Sequence, residues 1–122
     1  MSIIVENDGL YEEVMYPLCK PIEDYTKEEI IERVKQAGVV GMGGAGFPTF
    51  IKLSPKNPEE IDYVIVNGAE CEPYLTTDYR RMIESPEKVV DALKIVLQLF
   101  DNAKGLIGIE NNKPEAIAKL KE

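Results

Sequence analysis

The stretch Gly41-Met42-Gly43-Gly44-Ala45-Gly46-Phe47-Pro48-Thr49-Phe50-Ile51-Lys52 holds four glycines within six residues, then Phe-Pro and a lysine. Glycine has no Cβ, so a ligand can approach the backbone closely and φ can be positive. Successive exposed N–H groups in such a loop form a concavity suited to an anion. Pro48 fits the first position of a helix, where its missing N–H costs nothing. Lys52 then follows about one turn later. Loop, helix N-terminus and ammonium group together describe a phosphate site. A glycine-rich turn that only lets two elements pack closely has the same composition, and a lone glycine fingerprint is a weak signal.

The 122 residues leave room for one domain, and the composition is globular, 44% hydrophobic and 30% charged. Fourteen basic against twenty-two acidic residues give a net charge of −8. That balance argues against nucleic acid or an anionic membrane surface as the main partner. An anionic ligand therefore needs a local exception to the global charge. With no histidine, Ser-His-Asp and Cys-His catalysis are excluded and a zinc site is not expected. Cys19 and Cys71 form no CxxC pair and read as reduced thiols. Two cysteines cannot hold an iron–sulfur cluster, which takes four. No apolar run approaches the roughly 18 residues of a membrane span. The start, Met1-Ser2-Ile3-Ile4-Val5-Glu6, lacks the basic region of a signal peptide. A cytoplasmic protein is expected.

Residues 1–25 read as a linker or the tail of a preceding domain, with a short strand expected at Ile3–Val5 and breaks at Pro17 and Pro21. Thr26 and Glu29 form a capping box. Ile30, Ile31, Val34 and Ala37 make one apolar helical face, and Gly38 is the stop signal. Tyr63-Val64-Ile65-Val66-Asn67 is a continuous run of β-formers that suits a buried parallel strand. A short helix is expected over 78–84. Ser85 and Pro86 open a long one to 100, with Val89, Val90, Leu93, Val96, Leu97 and Phe100 on its buried face. A second strand is expected at 105–109. Asn112 and Glu115 offer a capping box for a last helix over 113–121.

These elements predict an α/β fold: a Rossmann-like three-layer fragment whose small parallel sheet contains a βαβ unit, with a Gly-rich loop beside it. Two parallel strands are too few for a sheet covered on both faces. Residues 26–122 are therefore expected to be the N-terminal part of a larger, truncated α/β domain. The unpaired sheet edge favours a homodimer of the fragment.

A second constellation, Asn67-Gly68-Ala69-Glu70-Cys71-Glu72-Pro73, follows the first strand. In open parallel sheets ligands bind outside the carboxyl ends of the strands. The Asn67 amide both donates and accepts hydrogen bonds. Glu70 and Glu72 can accept from ribose or ribityl hydroxyls while the glycine loop takes a phosphate. A solvated acidic turn is the plain alternative.

The glycine stretch with Lys52, followed by Asn67-Gly68-Ala69-Glu70-Cys71-Glu72-Pro73-Tyr74-Leu75-Thr76-Thr77-Asp78, resembles the flavin subunit superfamily of respiratory complex I. Within it the match is closest to the Rnf-type electron-transport branch, and a relative associated with proline reductase is similar too. Met42 and Ala69 stand where the complex I relatives carry an arginine and an aspartate. Pro55 stands where they carry a second adenine-sandwiching aromatic.

The resemblance implies FMN and NAD as cofactors and an NADH-oxidising or NAD-reducing subunit of a membrane-associated complex. Electrons would pass to iron–sulfur or ferredoxin carriers. It further implies that Gly41, Gly43, Gly44 and Gly46 line the FMN, that Lys52 pairs with its phosphate, and that Asn67 and Glu70 hold its ribityl and ring edge. Phe47 would stack on the adenine of NAD, and Glu72 would approach the nicotinamide nucleotide. No residue of the chain is expected to be catalytic or to bind a metal, since the family's iron–sulfur cysteines come later in its sequences. Expected partners are FMN, NADH and other subunits of the complex, on the inner face of the cell membrane without a span of its own. The isolated fragment is expected to be colourless and inactive. An anion- or partner-binding module without redox chemistry is the alternative. A P-loop is disfavoured, because no Gly-Lys-Ser/Thr ending is present to hold Mg²⁺.

Overall fold

The computed structural model describes residues 20–70 and 72–121, preceded by the short pieces 3–4, 6–10 and 12. Ile3 and Ile4 have no regular structure. Val5 and both cysteines, Cys19 and Cys71, lie outside the described residues.

The first helix, α1 (Lys27–Gln36), is set by local chemistry at both ends. Thr26 Oγ1 accepts the Glu29 N–H at 3.2 Å, and Glu29 Oε2 accepts the Thr26 N–H at 2.8 Å. Two orphan donors of the first turn are thereby satisfied. At the other end Gly38 has φ +66°. Its N–H donates to Lys35 O at 3.0 Å and the Val39 N–H donates to Val34 O at 3.3 Å. That pair of bonds is a Schellman ending, which needs a left-handed residue at Gly38. Ile30 is buried, while Ala37, expected on the same apolar face, is exposed.

The glycine stretch is the tip of a closed loop. The Gly41 N–H donates to Phe47 O at 2.8 Å and the Thr49 N–H to Val39 O at 3.0 Å. Val40 and Pro48 form an antiparallel bridge. Helix α2 (Thr49–Lys52) is a single turn, and Pro48 is its N-cap residue, not its first helical residue. Lys52 accordingly sits at the far end of that turn.

Strands β1 (Tyr63–Asn67) and β2 (Lys104–Gly108) pair in parallel, with Ile65 opposite Leu106. Between them run α3 (Thr77–Glu84) and α4 (Pro86–Leu97). The last helix is α5 (Pro114–Lys119). The result is a mixed α/β arrangement with a two-stranded parallel sheet. Helix α4 packs on both strands, and Gly105 makes the approach close. A Cβ there would lie 2.9 Å from Leu97 Cδ1 and 3.0 Å from Leu93 Cδ2.

Strand β1 is covered on one face only, with Tyr63 54% and Ile65 63% exposed. Helix α4 stops at Leu97 instead of 100. Leu99 and Phe100 are both buried, in one cluster with Ile30, and both lie beyond the end of α4, in the turn that follows it. The second strand, Lys104–Gly108, stops one residue before the expected end at Ile109. Helix α5 is shorter than expected, and its N-cap residue, Lys113, has no side-chain cap. Glu115, expected to close a capping box, instead accepts the Tyr79 O–H at 3.2 Å.

Candidate functional site

The carboxyl end of β1 leads into the segment 68–76, which crosses to the start of α3. Its local chemistry is mostly self-contained. Asn67 Oδ1 accepts the Ala69 N–H at 3.1 Å, a turn that asparagine side chains favour. Gly68 is buried between β2 and α3: a Cβ there would lie 3.0 Å from both Gly108 O and Met82 Sδ. The Gly68 N–H donates to that same Gly108 O at 2.7 Å, extending the ladder by one bond. Glu70 then reaches across the segment. Its carboxylate accepts the N–H of Asp78 at 3.0 Å and of Tyr79 at 3.3 Å. Those are orphan donors of the first turn of α3, whose N-cap residue Thr76 provides no side-chain bond. An anionic acceptor at a helix N-terminus is favoured by the peptide dipoles as well.

The segment faces the tip of the glycine loop. Met42 and Gly43 from the loop, with Ala69, Glu70, Glu72, Leu75, Thr77 and Asp78 from the segment and α3, line one cleft of about 390 Å³. Among the described residues its walls carry three carboxylates and no lysine or arginine. Met42 is almost fully exposed at its lip and Leu75 half exposed. Two of the glycines are demanded by the backbone, Gly44 at φ +113° and Gly46 at φ +62°. Gly43 is not: its φ is not positive, and a Cβ there would meet no protein atom within 4 Å.

Gly43, Glu70 and Glu72 thus come together, whereas Gly41, Gly44, Gly46, Phe47 and Lys52 do not line this cleft. Lys52 Nζ lies 5.9 Å from the centre of the Phe47 ring, within cation–π range. Asn67 lines an adjoining groove with Gly68, Asp78, Arg81 and Met82. Met42, Leu75, Thr77 and Asp78 belong to the cleft without having been read as site residues. Their signal was present, since all four lie inside the two quoted motifs.

Tyr79, whose N–H the Glu70 carboxylate accepts, donates its O–H to Glu115 of α5. Partial burial and the neighbouring Glu115 carboxylate push its phenol above the ordinary value of 10.0. Lys113 Nζ sits 4.8 Å from the centre of its ring. Among the described residues no helix is long and apolar enough to cross a membrane.

Comparison with known proteins agrees with the two motifs. The family model described as the Nuo51 FMN-binding domain matches residues 34–122. One relative is a subunit of the proton-translocating ferredoxin:NAD(+) oxidoreductase complex of Clostridium ljungdahlii, 43% identical over 122 residues that cover 99% of this chain. Another belongs to the Na(+)-translocating ferredoxin:NAD(+) oxidoreductase complex of Acetobacterium woodii, 45% identical over 123 residues that cover 98% of this chain. A third belongs to the ion-translocating oxidoreductase complex of Serratia proteamaculans, 44% identical over 124 residues that cover 99% of this chain. The chain spans 27% of the length of the first two relatives and 17% of the third. With its glycine loop and its Asn67–Asp78 segment meeting at one cleft, the chain belongs to the Nuo51 FMN-binding domain family.

Proposed function

We propose that this chain is the flavin-contacting part of a subunit that passes electrons between NAD(H) and ferredoxin or iron–sulfur carriers. The carrying observation is the meeting of the glycine loop and the Asn67–Asp78 segment at one cleft. The names of the relatives support the electron-transfer reading. The cleft's volume is within the range of small-molecule sites, roughly 300–1,000 Å³. Gly43 fits a close ligand approach, because the fold itself gives no reason for glycine there.

The electrostatics divide the ligand. A phosphate is disfavoured among Glu70, Glu72 and Asp78, so it belongs on the outer side of the loop, where Lys52 is the nearby cation. Gly41, Gly44 and Gly46 would supply backbone around it. The three carboxylates suit hydroxyl donors, and Glu70 keeps lone pairs free beyond its two backbone bonds. Asn67 would hold the ribityl end from the adjoining groove. Glu72 and Phe47 would receive the nicotinamide nucleotide. Bound FMN would supply the hydride and single-electron chemistry, while the protein positions and tunes it. In this reading the fold is a Rossmann-like flavin domain of which residues 26–122 form the N-terminal part. The subunit is peripheral, held at the inner face of the membrane by its partner subunits.

The test is a titration of the polypeptide, extended to the length of its relatives, with FMN while flavin fluorescence is followed. Saturable stoichiometric binding is expected. Absence of binding in a folded protein refutes the reading.

A further inference from the structure

The segment 72–75 contains a conformation that its sequence does not suit. The Leu75 N–H donates to Glu72 O at 3.3 Å, closing a four-residue turn with Pro73 in its second position. Tyr74, in the third, has φ +67°. A closing bond, proline second and positive φ third are the signature of a type II turn, whose third position belongs to glycine. A bulky side chain there is a genuine outlier. Nothing in the fold repays the strain, because the whole tyrosine side chain stands in water, at 102% relative exposure. The residues on either side of Pro73-Tyr74, Glu72 and Leu75, both line the cleft. An exposed aromatic side chain is thus kept between two cleft-lining residues at a conformational cost that glycine would avoid.

We propose that Tyr74 is a ligand-contacting residue, whose ring packs on the planar heteroaromatic ring of the molecule bound in the cleft. The proposal rests on the flavin and nicotinamide reading above. Two rings share the required chemistry, the isoalloxazine of FMN and the nicotinamide of NADH. Strain held between two cleft-lining residues is consistent with such a role, since residues in sparsely populated backbone regions gather at ligand clamps. Met42, which lines the cleft and is almost fully exposed, gives it an apolar surface from the glycine loop.

The experiment compares wild type, Tyr74→Gly and Tyr74→Phe in the polypeptide extended to the length of its relatives. FMN affinity, the KM for NADH and the melting temperature are measured for each. Tyr74→Gly relieves the turn, so it should melt at or above wild type while binding falls about 3- to 10-fold, the scale of one lost aromatic pair. Tyr74→Phe should stay within about 2-fold of wild type, because the ring face is retained. A loss in FMN affinity assigns the isoalloxazine, and a loss confined to the KM for NADH assigns the nicotinamide. Unchanged binding of both ligands in Tyr74→Gly overturns the proposal alone. Weaker binding together with a lower melting temperature makes the role structural and overturns it too. If wild type binds no FMN, the underlying reading fails, and the proposal with it.

Discussion

The Glu70 carboxylate accepts the backbone N–H of Asp78 at 3.0 Å, joining the first part of the 68–78 segment to the helix that follows it. This bond and its neighbour from Tyr79 hold one wall of the cleft in place. Glu70→Ala should cost about 1 kcal/mol, the scale of a lost helix cap. Glu70→Gln keeps an acceptor oxygen but loses the charge that complements the helix dipole, so it should cost less. Urea unfolding of both variants measures the difference. Equal stability of Glu70→Ala and wild type would remove the capping role.

The glycines of the loop should separate into two classes. Gly44→Ala and Gly46→Ala force an alanine into positive φ and should lower stability by about 1–2 kcal/mol each. Gly43→Ala should leave stability unchanged and weaken FMN binding alone. Thermal melts paired with FMN titrations test this. A Gly43→Ala protein that binds FMN normally shows that the ligand does not approach that residue.

Lys52 and Glu72 should divide the two ligands. Lys52→Ala is expected to weaken FMN about 10-fold or more, consistent with losing a charge-assisted contact of about 1.5–3 kcal/mol. It should affect NADH much less. Glu72→Ala should show the opposite pattern. FMN affinity and the KM for NADH are the readouts, and an unchanged pair in both variants rejects the site assignment.

Close backbone packing makes Gly68 and Gly105 unequal. A Cβ at Gly68 meets a backbone oxygen, Gly108 O, at 3.0 Å. At Gly105 it meets the ends of two leucine side chains, which can turn aside. Both alanine substitutions should destabilise through overpacking, by about 1–3 kcal/mol, with Gly68→Ala the costlier. Chemical denaturation gives the order directly.

Two described groups make stability depend on pH. A hydrogen bond from Lys20, aided by the Thr26 N–H, holds Glu29 below its ordinary value of 4.5. Its stabilisation is therefore present above that value and is lost as pH falls through the lower folded one. Burial and Glu115 raise Tyr79 above 10.0. Its contribution is full below 10.0 and is lost as pH rises through the higher folded value. Tyr79→Phe should flatten the alkaline limb of a stability–pH curve, and Glu29→Gln the acid limb.

Local chemistry made much of the framework legible. The Thr26–Glu29 box and the Gly38 ending bound α1 because each satisfies backbone groups within a few residues. Strand β1 fell where its run of β-formers lies, and Pro86 marked the start of α4. The two motifs also carried the family, since each is a contiguous run of residues within the stretch that the family model matches.

Tertiary packing decided the rest. Apolar periodicity alone would continue α4 to Phe100, but the helix ends at Leu97, and Leu99 and Phe100 pack after it in one cluster with Ile30 of α1. Glu115 had a capping partner three residues away in sequence, and the fold gave it to Tyr79 thirty-six residues away instead. Glu70 reads as a ligand residue from its motif, yet its carboxylate also closes the start of α3, a contact no local pattern encodes. The sequence by itself determined the two ends of α1, the two strand segments and the family of the two motifs, because these depend on residues close in the chain. Only the tertiary structure decided which members of the motif share a cleft, because that depends on where the loop after α1 meets the segment after β1.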